Sequence, residues 1–374
     1  MATGIGRLII RLVVGASLIL FSVAVSLLVI EIGVRVMDGV RIFSTTNFVA
    51  RALDEVHSAS LHHDSEVGWV PAANLESGSY TTGEFGARMS AAKIVPLQQR
   101  AILFVGDSFG SGAGVADAEA WPAVLERTID TQVIDAAVGG YGFDQLVLRA
   151  ENLLPPLNPR MLIIQARLEY GISVARMSIA GGAPKPYFTI FKGELALHNS
   201  PVPEFASSTR DIGWMRSEFG HSYLAYFVMT RLNLLQWWVS SSSMRLKYEL
   251  SPEQAREVSC LLMRRLAHIR DQRGIRVALV VQYSAPEIME QPLHWEADRS
   301  AVTGCAEREG LEVVDTLEPL RSVYRSETLA SFQRLWQMAD NNRAYGHMSA
   351  EGNRLIANIV SKQLFKREVS EAAR

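Results

Sequence analysis

The chain is poor in cysteine and carries no surplus of either charge. Of 374 residues only two, Cys260 and Cys305, are cysteines. They form no zinc-like spacing. Both fall in stretches patterned as helix, so they read as two buried free thiols. A disulfide between them would require an oxidising compartment. A formal net charge of −2 gives no electrostatic reason to expect nucleic acid as a partner. Internal repeats and low-complexity tracts are lacking, and the serine run 240–243 reads as a loop. No close-spaced ligand motif such as H-E-x-x-H is present, so neither a metal nor another cofactor is expected.

Apolar residues, by contrast, are plentiful. They make up 48% of the chain, enough for a substantial core. The stretch 12–30, LVVGASLILFSVAVSLLVI, contains no charge over 19 residues. As a helix rising ~1.5 Å per residue it would span ~28 Å, close to the hydrocarbon thickness of a bilayer. That is longer than a signal-peptide apolar region, and the following EIGVRVMDG offers no small-x-small site. Residues 1–33 are therefore expected to be a retained membrane anchor. Arg7 and Arg11 before it nearly balance Arg35 and Arg41 after it. The basic residues thus lean only weakly toward an inside N-terminus.

Residues 34–97 show mixed polarity without a sustained period and read as a linker or lead-in. From 98 to 370 strand and helix patterns alternate. RAILFVGDS is a buried strand entering a turn, AEAWPAVLERTI a helix, and TQVIDAA a strand leading into VGGYG. FDQLVLRAENLL is a helix stopped by Pro155-Pro156, and RMLIIQARL is a third strand. The alternation breaks over about 176–250, read as an insertion. It holds a hairpin turning at Lys192-Gly193 and a strongly apolar helix from Ser222, whose apolar face is expected to pack on the main domain, with a place at the membrane interface as the alternative. Alternation resumes at Ser251-Pro252, an N-cap and first helical position, and continues to a last helix capped by Ser349. Strands alternating with helices imply an α/β fold with a parallel sheet covered on both faces. Its chemistry is expected beyond the carboxyl ends of the strands.

Ser108 stands at such an end, in Gly106-Asp107-Ser108-Phe109-Gly110. The segment fits G-x-S-x-G, the serine turn of α/β-hydrolases, and an ordinary capped turn as well. A serine hydroxyl needs a base to take its proton. Among eight histidines, His347 is the candidate, because it immediately precedes the last helix in YGHMSAEGNRLIANIV.

Three blocks together resemble the SGNH/GDSL hydrolase family: Gly106-Asp107-Ser108, VIDAAVGGYGFDQ, and HMSAEGNRLIA. HHDSEVGWVPAAN and YTTGEFGARM are similar to the lead-in of its membrane-anchored bacterial members. The Asp beside the serine favours this family over α/β-hydrolases. The resemblance implies a flavodoxin-like three-layer α/β/α fold. It implies Ser108 as nucleophile, with Asp107 beside it, and His347 as general base. The oxyanion would be held by the N–H groups of Ser108 and Gly140 and by an asparagine side chain. Two departures stand out. The asparagine block reads Leu168-Glu169-Tyr170, where an ionised Glu169 would repel an oxyanion, and nearby Arg167 could neutralise it or supply the donor. The acid that normally precedes the histidine is replaced by Ala344 and Tyr345, leaving Asp340 as nearest upstream carboxylate and Asp315 as a second choice.

The resemblance further implies a serine esterase, deacetylase or O-acyltransferase acting on an acylated carbohydrate of exopolysaccharide or lipopolysaccharide. It implies a single pass in a bacterial inner membrane with the soluble part in the periplasm, in reach of other polysaccharide-assembly proteins. The two departures motivate the alternative of a binding or assembly factor that keeps the fold without turnover.

Overall fold

The structure, a computed structural model, describes residues 2–44, 46–48, 61–77, 80–91, 95–98, 100–167, 184–203, 213–232, 234, 250–339 and 344–366. The chain forms two compact units. The first comprises residues 1–58, 180–182 and 206–245; the second comprises 59–179, 183–205 and 246–374.

In chain order, helix α1 (Ala2–Met37) is followed by two antiparallel ribbons, β1 (Leu61–Asp64) with β2 (Gly68–Pro71) and β3 (Glu76–Ser77) with β4 (Tyr80–Thr81). Next come β5 (Ile102–Val105), α2 (Trp121–Ile129), β6 (Val133–Asp135), α3 (Phe143–Leu157) and β7 (Met161–Arg167). The hairpin β8 (Tyr187–Phe191) and β9 (Glu194–His198) turns at Lys192-Gly193, as its sequence predicts. Helices α4 (Gly213–Phe219) and α5 (Tyr223–Arg231) belong to the first unit. Then follow α6 (Pro252–Arg273), β10 (Arg276–Gln282), α7 (Ala285–Met289), α8 (Glu296–Arg308) and β11 (Glu312–Asp315). The chain finishes with α9 (Leu317–Ser326), α10 (Leu329–Gln333), the hairpin β12 (Trp336–Ala339) with β13 (Ala344–Met348), and α11 (Ala350–Leu364).

The second unit is built on a five-stranded sheet ordered β6-β5-β7-β10-β11, parallel throughout. This is the doubly wound α/β architecture that the alternation predicts. Every residue of β5 and β7 is buried, which explains the apolar runs ILFV and MLII: both sheet faces are covered. The chain steps from β5 to β6 in one direction and from β6 through β7, β10 and β11 in the other. Right-handed crossovers therefore place α2 on one face and α3, α6 and α8 on the other. Accordingly α2 packs with α11, and α6 with α3 and α8.

Four expectations need adjustment. Residues 61–91, read as part of a connecting region, contribute Val67, Trp69, Ala87 and Met89 to the core of the second unit. The stretch 176–250, read as one insertion, is divided: β8–β9 joins the second unit, burying Phe188, whereas α4 and α5 join α1. Helix α3 runs on through Pro155 and Pro156 to Leu157 and ends at Asn158, whose left-handed backbone caps it. The prolines fall in the last turn, so only two helical donors are lost. Finally, the cysteines are not free thiols. Cys260 on α6 and Cys305 on α8 are joined as a disulfide, with Cα atoms 5.3 Å apart. Helix spacing had hidden that the two helices pack side by side.

In the first unit, Arg11–Met37 of α1 is long and apolar enough to cross a membrane. The apolar helix of the insertion, α5, packs on α1 rather than on the second unit's core as expected. Polar contacts dictate this. Glu31 accepts from the N–H groups of Tyr223 and Leu224, each at 2.8 Å, and from Ser222 Oγ at 2.8 Å, so a carboxylate sits on the positive end of α5. Arg35 pairs with Glu31 at 2.5 Å and donates to the His221 carbonyl at 2.7 Å.

Candidate active site

Buried strand β5 delivers Gly106-Asp107-Ser108 to its carboxyl end, where the chain's two winding directions diverge. The turn is tied inward. Asp107 Oδ1 accepts from the N–H groups of Phe109 (2.8 Å) and Gly110 (3.4 Å), and Gln165 Oε1 of β7 accepts from the Asp107 N–H (2.9 Å). Close packing against Gln165 explains both flanking glycines. A Cβ on Gly106 would lie 2.6 Å from Gln165 Oε1, and one on Gly110 2.7 Å from the same atom. Gly110, which completes the G-x-S-x-G pattern, is thus demanded by a buried amide on the neighbouring strand.

Arg88, from the lead-in, clamps the far side of this loop. Its Nε pairs with Asp117 at 2.9 Å. Its terminal nitrogens donate to the carbonyls of Ser111, Gly112 and Val115. Both ions are nearly inaccessible to solvent, and the hydrogen bonds to carbonyls offset the desolvation of the guanidinium.

His347 lies on β13 and reaches the serine directly, with Nε2 2.8 Å from Ser108 Oγ. Gln337 on β12 joins the two halves: its Nε2 donates to Ala113 O of the serine loop (2.7 Å) and to Met348 O beside the histidine (3.0 Å). Gly114 (φ 83°) accommodates that side chain, because a Cβ there would lie 2.2 Å from Gln337 Oε1. Asn353 of α11 adds a second tie, accepting from Trp121 N–H at 3.1 Å and donating to Met348 O at 3.2 Å.

Phe109 touches both the imidazole and a cation. Its ring centroid is 4.9 Å from that of His347, and Arg167 Cζ is 4.1 Å from the same centroid. Arg167 also approaches Glu287 at 3.5 Å. These charges set the titration of the site. Burial holds the His347 pKa below its ordinary value; buried Asp107 opposes this and Arg167 reinforces it. Burial raises the Asp107 pKa, with Arg167 and the turn's N–H groups pulling the other way. The imidazole is therefore held neutral near pH 7, the form in which it can accept a proton.

The Gly139-Gly140 turn adjoins the serine: a Cβ on Gly139 would stand 3.7 Å from Ser108 Cβ. Gly140 adopts φ 81°. Among the described residues, neither the Ser108 nor the Gly140 N–H donates to a protein acceptor. The lead-in also steadies this turn, Trp69 Nε1 donating to Gly139 O at 3.1 Å and Tyr141 Oη to Trp69 O.

Of the residues singled out in the sequence, Ser108, Gly140, Arg167 and His347 come together here. Asp107 is present too, but as a buried brace whose Oδ1 is engaged by the turn rather than as a group facing a ligand. Glu169 and Asp340 lie outside the described residues. Asp315, the second-choice acid, is engaged elsewhere, by Arg299 at 2.7 Å and the Leu317 N–H at 3.0 Å. Among the described residues no carboxylate hydrogen-bonds the His347 ring. Gln165, Arg88 and Gln337 were missed. Gln165 had left a signal, a lone amide inside an otherwise apolar strand; Arg88 lay within the lead-in segment GARM; Gln337 had none.

No family model matches the chain, and no curated protein matches it. Solved structures do. They include a protein described as lipolytic and of the G-D-S-L family from Desulfitobacterium hafniense DCB-2, at 13% identity and TM-score 0.38, covering 71% of this chain and 100% of that one. The acetylxylan esterase Axe2 from Geobacillus stearothermophilus aligns at 12% identity and TM-score 0.39, over 72% of this chain and 95% of its own. The acetyl xylan esterase AlAXEase aligns at 11% identity and TM-score 0.39, over 71% and 99%.

Proposed function

We propose that the chain is a membrane-anchored serine esterase or O-acyltransferase of SGNH/GDSL type, acting on an acylated carbohydrate through an acyl-serine intermediate. The observation that carries this reading is the 2.8 Å contact between Ser108 Oγ and His347 Nε2 at the carboxyl edge of a parallel sheet. In the first step Ser108 Oγ bonds to the acyl carbon as its proton passes to His347 Nε2. Collapse breaks the bond to the leaving alkoxide, which takes that proton. Water or a sugar hydroxyl then reverses the sequence, giving hydrolysis or transfer. The unoccupied N–H groups of Ser108 and Gly140 suit a developing oxyanion.

The carbohydrate substrate is supported by the resemblance of the lead-in, which packs against both loops of the site. Membrane anchoring is supported by the length and apolar character of α1. An inner-membrane anchor with a periplasmic second unit is supported by the Cys260–Cys305 disulfide, since such bonds persist in oxidising compartments.

Treating the purified protein with a fluorophosphonate tests the reading. The unaltered chain is expected to label, Ser108→Ala not at all, and His347→Ala far more slowly. Acetate release from acetylated polysaccharide should fall to background in both variants. Labelling that persists in Ser108→Ala would remove this serine from the chemistry.

A further inference from the structure

The first unit contains an apolar surface that the acyl-transfer reading does not use. The polar contacts between α1 and α5 fix their mutual direction: Arg35 meets His221, and Glu31 meets Ser222 to Leu224. Helix α5 therefore runs back along α1, toward the apolar stretch of the anchor. Among the described residues no polar contact joins the two helices on the amino-terminal side of Glu31, and a groove of about 610 Å³ runs between them from the Glu31–Arg35 cluster into the apolar stretch. Leu27 and Leu28 face Leu224, Ala225, Val228 and Met229 across it, and the polar cluster of Glu31, Arg35, His221 and Ser222 closes one end. Helix α5 buries no side chain completely. The same unit leaves Trp214, Phe219 and Leu232 more than half exposed, at 72%, 53% and 61%.

An apolar groove whose floor belongs to a membrane-crossing stretch lies at the depth of lipid acyl chains. We infer that α4 and α5 form a lipid-embedded foot, seated in the outer part of the bilayer against the last turns of the anchor, with acyl chains filling the groove. The inference rests on the anchor reading of α1. Within it, Glu31 and Arg35 have a defined task. They satisfy the amino-terminal N–H groups of α5 and the His221 carbonyl, which would otherwise be stranded near hydrocarbon. Asp38, bonded to Tyr223 Oη at 2.7 Å, and Phe48, edge-on to Tyr223 at 5.1 Å, hold the base of the foot from the segment after the anchor. Trp214 and the tyrosines are residue types that favour the membrane interface.

The test uses the full-length chain in phosphatidylcholine–phosphatidylglycerol vesicles containing acyl-chain nitroxide lipids. The native cysteines are paired, so an environment-sensitive thiol dye can be placed singly through Leu20→Cys, Phe219→Cys, Val228→Cys or His268→Cys. Labels at 219 and 228 are expected to be quenched within about two-fold of the label at 20, and several-fold more than the label at exposed position 268 on α6. Quenching at 20 with none at 219 and 228 would overturn the foot while leaving the anchor, and would mean that something other than lipid covers this face. No quenching at 20 would overturn the anchor reading itself, and the foot with it.

Discussion

Ser108 and His347 meet from opposite kinds of structure. The serine turn is braced from within: Gln165, the Asp107 carboxylate and the Arg88 guanidinium each bind its backbone, and glycines at 106 and 110 are required for that fit. The histidine arrives on a two-stranded hairpin outside the main sheet, joined to the serine loop through Gln337 and to the start of α2 through Asn353. One partner is fixed by burial and the other by a few directed hydrogen bonds. In such an arrangement, damage to the first should cost stability and activity together. Damage to the second should cost activity ahead of stability.

Replacing Arg88 provides the harshest test of that contrast. Arg88→Met leaves Asp117 buried without its cation and the Ser111 and Val115 carbonyls without the donor they now have, while Gly112 O keeps only the Val115 N–H. Breaking one side of a buried ion pair typically costs about 3–5 kcal/mol. Denaturant unfolding should show a loss of that order, with kcat falling at least about 100-fold. Arg88→Lys keeps the charge but not the fork, so it should recover only part of either. An Arg88→Met protein as stable and active as the parent would mean the serine turn needs no outside clamp.

Gln337→Leu probes the other partner. It removes two hydrogen bonds of a half-buried amide, at about 1 kcal/mol each. Unfolding should therefore shift modestly. If the hairpin drifts even slightly, the 2.8 Å contact lengthens, and kcat should drop about 10- to 100-fold with KM little changed. A loss seen mainly in KM would place Gln337 in substrate binding instead.

The same contrast governs what could be read from the sequence. The sheet was legible because β5 and the middles of β7 and β10 are apolar runs bounded by turns. The serine was legible because glycines crowd around it, and each answers a steric demand. The histidine was legible by its place before a capped helix. What escaped depends on contacts between distant segments. Nothing local marks Arg88 as a loop clamp, Trp69 as a support for the Gly139 turn, or Gln337 as a bridge. Two apolar helices likewise cannot announce which surface they seek. The apolar pattern of α5 fits a core helix as well as a membrane-side one, and the Glu31 carboxylate on its first turn is what ties it to α1. The cysteines failed for the same reason, since 45 residues separate two positions that adjacent helices bring together.

The smallest expected effect concerns Arg167, and it separates two roles for that residue. Burial holds the His347 pKa below 6.5, and Arg167 pushes it further down while Asp107 pushes it up. The reactive form is the neutral ring, so kcat/KM should rise with pH and reach half its plateau below 6.5. Arg167→Gln removes a repulsion felt by the imidazolium. The ring should then hold its proton to higher pH, and the acid limb should move toward neutrality. Loss of the same cation raises the Asp107 pKa further, and protonated Asp107 no longer favours the imidazolium, so the displacement is modest in size. Above the limb the plateau should be nearly unchanged if Arg167 acts only through its field at the imidazole. If Arg167 instead supplies the oxyanion donor that the sequence otherwise lacks, the plateau itself should fall by about 10²–10³ at every pH. A pH series on the single variant decides between these outcomes. A limb that stays in place with a full plateau would show that the histidine does not sense Arg167 at all.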